Sequence, residues 1–163
     1  MKDMAETESS PGSMVVGRLT DLAPWEAGLI LSLRAWMEGP AGQAEVWNGF
    51  ARSFGGAEGR VEMHRFETLL VTLCENARRP LVRHGGGCAC IGVDEALFCT
   101  LVREAAGGDL AEAAAIAGLL VKAGQAGPVA DLAAQVGRAM QRMTWHDPAD
   151  PDILPESSGR VLH

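Results

Sequence analysis

The sequence predicts an all-α protein, an antiparallel bundle of about six helices with disordered tails. Three observations lead there. Apolar residues recur at spacings of three and four, not two, through most of residues 20–143. The apolar set is mainly Ala, Leu and Val, with no Tyr and only four Phe and four Trp, which suits close helix packing better than a β-sandwich. Short breaks rich in Gly and Pro separate the periodic segments.

Residues 1–18 are polar and contain Ser9-Ser10-Pro11-Gly12-Ser13, the composition of a disordered tail. Thr20 or Asp21 is expected to cap a first helix with Pro24 in its first turn. Trp25, Leu29, Leu33 and Trp36 follow at helical spacing, and Gly39-Pro40 stops them. A second helix over 43–54 aligns Trp47, Phe50 and Phe54, and Gly55, Gly56 and Gly59 mark a loop after it. A third, over 61–78, carries Met63, Phe66, Leu69, Leu70, Leu73 and Ala77 as one stripe and is ended by Pro80.

Residues 80–93 form an irregular loop around the string RHGGGCACIG. Asp94 is expected to cap a fourth helix, with Leu97, Phe98, Leu101, Val102 and Ala105 inward and Gly107-Gly108 at its end. Asp109 and Glu112 make a capping box for a fifth helix that ends at Gly124. Gly127-Pro128 opens a sixth. Its stripe of Val129, Leu132, Ala133, Val136, Met140 and Met143 packs internally by default, or against a second copy. The helical domain is thus 19–144, and 145–163, rich in Pro and charge, reads as an extended tail. No alternating run demands a strand.

The net charge of −7 argues against nonspecific binding to nucleic acid or an anionic membrane. No apolar run is long enough to span a bilayer. The first residues lack the apolar core of a secretory signal, so a cytoplasmic location is expected. The one basic cluster, Arg78, Arg79, Arg83 and His84, reads as a solvated helix end, with an anion site as the alternative.

The four cysteines, Cys74, Cys88, Cys90 and Cys99, fall in the middle of the chain. In a reducing compartment they read as thiols or metal ligands. Thiolates are soft and anionic, and four of them complete a tetrahedron around Zn²⁺. A C-x-C pair can share one metal only if the backbone bends tightly, and Gly85, Gly86 and Gly87 supply that freedom. His84 offers a nitrogen ligand in reserve. Cys74 lies on the flank of the third helix's stripe, where a core position is the competing reading, and Cys99 lies off the centre of the fourth helix's stripe. Zinc is favoured over an iron–sulfur cluster, whose cysteine runs are more compact.

Other residues have plainer explanations. His64 reads as a surface residue, Asp94 and Glu95 as a cap and a dipole partner, and the tryptophans as packing residues. None of the common catalytic motifs occurs in a fitting context, so an enzyme is not expected. The first expectation is a small helical protein holding one Zn²⁺ through Cys88, Cys90, Cys74, Cys99 and His84 in a structural or regulatory role. The second is a metal-free interaction or adaptor module with a protein partner or a second copy. The third is a thiol redox protein using Cys88 and Cys90, whose strained disulfide would be readily reduced.

Overall fold

A computed structural model describes residues 11–143. The tail expected at 145–163, and residues 1–10 of the one expected at 1–18, lie outside the described residues. The described chain is mostly helical, with six α-helices and one two-stranded sheet. The helices are α1 (Pro24–Met37), α2 (Pro40–Phe54), α3 (Gly56–Asn76), α4 (Val93–Ala106), α5 (Leu110–Leu120) and α6 (Ala126–Arg142). The strands are β1 (Val15–Arg18) and β2 (Cys90–Gly92), paired antiparallel with Arg18 opposite Cys90 and Val15 opposite Gly92.

The sheet departs from the sequence reading, which placed 11–18 in a disordered tail. Val15 and Val16 favour extended backbone, but four residues are too short a run to announce a strand. The partner strand lies far along the chain, in the loop before α4, so no hairpin signal exists between them.

Most helix boundaries move for local reasons. Leu19–Asp21 is a 3₁₀ turn, and neither Thr20 nor Asp21 caps α1, which starts at Pro24 after Ala23. Pro40 opens α2, where a missing N–H costs nothing. The loop expected across Gly55, Gly56 and Gly59 contracts to one hinge, Gly55, at φ 80°. Gly59 instead lies inside α3, where an added Cβ would come within 3.0 Å of the Phe50 carbonyl, so its small size lets α2 and α3 cross closely. Asp94 does not cap α4; the cap is Gly92 and Asp94 lies in the first turn. Asp109 does cap α5, accepting from Glu112 N at 3.0 Å.

The main core joins α1 through α6, with Leu29, Phe50, Phe66, Leu70, Leu101, Val129 and Met140 among its buried members. The α6 stripe packs internally: Val129, Ala133, Val136 and Met140 are all buried. α4 meets α6 at Gly137, where a Cβ would sit 2.6 Å from that of Ala106. A smaller cluster of Leu19, Ala27, Ile30, Ile91 and Cys99 ties the sheet to α1 and α4.

Candidate functional site

The loop between α3 and α4 is the most irregular part of the described chain, and three arginines and two carboxylates give it one shape. At its start, Arg78 N donates to Leu120 O at 2.9 Å. Arg78 Nε donates to the carbonyls of Gly118 and Val121 at 2.7 and 2.9 Å, occupying acceptors at the end of α5. Arg79 then grips Asp94 with both terminal nitrogens, at 2.9 and 2.7 Å. Asp94 also accepts from Val82 N at 2.8 Å.

Deeper in, Arg34 of α1 meets Glu95 of α4, both fully buried. A guanidinium has five N–H donors. Arg34 Nε and Nη2 donate to the two Glu95 oxygens at 2.7 and 2.9 Å. The remaining donors reach the carbonyls of Gly85 (3.2 Å), Cys88 (2.6 Å) and Cys90 (2.6 Å). Glu95 completes its own shell with the N–H groups of His84 and Gly92, both at 3.0 Å. Burial alone would raise the Glu95 carboxyl; hydrogen bonds from Arg34, Gly92 and His84 outweigh that and hold it below its ordinary value. No donor of the guanidinium is left over, as a charge in a dry interior requires.

The outer side of the loop is strapped by the N-terminal segment. Leu19 N donates to Ala89 O at 2.8 Å, and Val93 N to Met14 O at 3.0 Å. The His84 ring lies 3.1 Å from Ser13 O through Nε2. Gly12 is buried against Asp94, and any side chain there would strike its carboxylate. The basic cluster is therefore engaged with its own chain, with Arg78 and Arg79 still exposed to water and Arg78 at the end of α5. Arg78, Arg79 and His84 are engaged as above, and Arg83 donates to Met37 O at 3.4 Å.

Cys88 ends a turn that its N–H closes on Gly85 O at 3.0 Å, and Cys90, two residues on, begins β2. Cys90 N donates to Cys88 Sγ at 3.4 Å. The other two cysteines sit elsewhere. Cys99 is in the smaller apolar cluster among Leu19, Ala27 and Ile30. Burial, and then Glu26, pushes its thiol up to about 12. Cys74 is exposed on α3, with its side chain bordering a recess beside Met37 and Leu81. Burial against that recess and the neighbouring Glu75 push its thiol up. Among the described residues, no three His, Cys, Asp or Glu side chains are grouped to hold a metal ion. The structure thus brings Cys88, Cys90 and His84 into one loop and leaves Cys74 and Cys99 out of it.

Arg34 escaped the sequence reading, and Glu95 was given only a dipole role. A signal for Arg34 exists. It lies one turn beyond Ile30 and two turns beyond Ala27, on a face that is otherwise buried, and a charge on such a face calls for a buried partner. Against known proteins, the chain matches no family model, no curated protein and no solved structure. No helix among the described residues is long and apolar enough to cross a membrane.

Proposed function

We propose that this chain is a metal-independent interaction module, an antiparallel helical bundle that presents the loop 80–92 and β1 to a protein partner. The observation that carries this reading is the full use of the buried Arg34 by Glu95 and three loop carbonyls. A buried ion pair adds little net stability, because desolvation offsets its attraction; its best-attested use is to specify one conformation. A loop held in one conformation loses little entropy when a partner binds. The surface so held is apolar where it faces water. Met14, Val15 and Val16 are 61%, 54% and 53% exposed, and Ala89 is exposed beside them. The internal ion pair also fills the role a metal would have had in pinning the loop to the helices.

A photo-crosslinking residue at Ala89, expressed in the native host, tests this. A discrete adduct is expected from position 89 and not from Arg60, which is exposed on α3. The same background from both positions would remove the reading.

One contact favours a second reading. Cys88, at the end of a turn, and Cys90, at the start of β2, are joined by an N–H···S bond, an arrangement that would suit a soft metal ion bound by two thiolates and outside ligands. Protein purified without added metal and carrying about one equivalent of zinc per chain would favour it over the metal-free module.

A further inference from the structure

We infer that the outer face of α5 is a contact between two copies of this chain, packed antiparallel about a two-fold axis; this is independent of the role proposed for the loop. The starting observation is Leu119, 64% exposed, more than any other large apolar side chain among those described. Leu110, on the same helix, is 43% exposed. α5 has the sequence LAEAAAIAGLL, with one charged residue in 11. Ala113, Ile116, Ala117 and Leu120 face the core, and the opposite face is Ala111, Ala115, Gly118 and Leu119. A helix apolar on every side is normally covered on every side.

Gly118 gives a separate reason. Glycine inside a helix is less stable than alanine, so a structure that keeps one there usually needs the space or an unusual backbone angle. Gly118 has neither need among the described residues. Its φ is not positive, and a Cβ built on it meets nothing within 4 Å. Close approach from outside the chain supplies the missing reason.

Charge selects the occupant. The N-terminal end of this face carries the exposed Glu112, and Lys122 stands exposed just past its C-terminal end. A second copy laid antiparallel sets Glu112 of each chain beside Lys122 of the other. The same axis sets each Leu119 against the copy's Ala115, with Gly118 giving the backbones room. A parallel copy would place like charges together. One face of a three-turn helix covers less than a standard interface, so the association is weak and reversible.

Sedimentation of the full chain across a concentration series up to about 0.5 mM tests this. The weight-average mass is expected to climb toward twice that of the chain. Leu119→Glu is expected to stay monomeric throughout with an unchanged circular dichroism spectrum, since the side chain lies in water in the single chain. Gly118→Leu, at a position where an added Cβ meets nothing among the described residues, is expected to weaken association at least about tenfold. Glu112→Lys is expected to weaken it as well, and Glu112→Lys with Lys122→Glu to restore it. A chain monomeric at every concentration overturns the inference. So does a dimer that ignores both Leu119→Glu and Gly118→Leu. A charge reversal that fails to restore association overturns the antiparallel arrangement.

Discussion

At its C-terminal half α4 meets α6 through apolar side chains and a glycine, with Val102 and Ala105 buried and Gly137 letting the helices close to contact. In its first turn the same helix is held through charge, with Asp94 on Arg79 and Glu95 on Arg34. The first contact is nondirectional: many shapes of similar volume would satisfy it. The second is directional, since five donors must find five acceptors at once. Packing therefore fixes where α4 lies, and the charged end fixes how the loop before it is folded.

The largest effect is expected from splitting the buried pair. Arg34→Met strands the Glu95 carboxylate in a dry interior and should lower stability by about 3–5 kcal/mol in urea unfolding. The double variant Arg34→Met/Glu95→Leu should recover much of that loss, because a buried pair replaced by apolar groups is often neutral. Met140→Ala, at the packed end, should cost about 2–5 kcal/mol through the cavity it leaves. Hydrogen exchange separates the two ends. Arg34→Met should expose the His84 and Gly92 amides well before the core amides, whereas Met140→Ala should lower protection across α4 and α6 together. Additive losses from Arg34→Met and Glu95→Leu would mean that the charged end is not one coupled unit.

Acid distinguishes the ends next. The folded-state pKa of Glu95 is depressed, so its contribution is fully present above the ordinary glutamate value of about 4.3 and is lost as pH falls through the lower folded value. The loop should therefore open on acidification below the ordinary glutamate range, with His84 and Gly92 amide protection lost first. Glu95→Gln should flatten that acid limb. An unchanged limb in Glu95→Gln would assign the acid sensitivity to other carboxylates.

The packed end was largely legible in the sequence, and the charged end was not. Leu101, Val102, Val129, Val136 and Met140 all fall on stripes of helical period and are buried as that period requires. The stripe is a local signal, carried within one helix. The clasp joins α1 to a loop more than 50 residues later in the chain, as Arg34 to Cys88 shows with a separation of 54. Local periodicity cannot carry such a pairing. The sequence reads Asp94 as the cap of α4; it lies in the first turn instead, and the donors it finds are Val82 and Arg79. The cysteines drew attention because thiol chemistry is recognisable from residue type alone. The loop's actual organiser is an arginine, a residue type so common on surfaces that only its place on a buried face could have pointed to it.

The smallest effect is expected at Arg79, and it sharpens the comparison most. Arg79–Asp94 and Arg34–Glu95 are both bidentate arginine–carboxylate pairs, and their carboxylates are adjacent in sequence on one helix turn. They differ in burial: the Arg79 side chain is 42% exposed, and that of Arg34 is not exposed at all. In Arg79→Ala, Asp94 keeps the Val82 N–H and the favourable end of the helix dipole. Water reaches the vacated side. The loss should be about 1 kcal/mol or less, a fall of about 2–4 °C in Tm. A double-mutant cycle with Asp94→Asn should give a coupling several-fold smaller than the Arg34–Glu95 cycle. Equal couplings would mean that neither depth of burial nor the three loop carbonyls that only Arg34 reaches sets the strength of the pair.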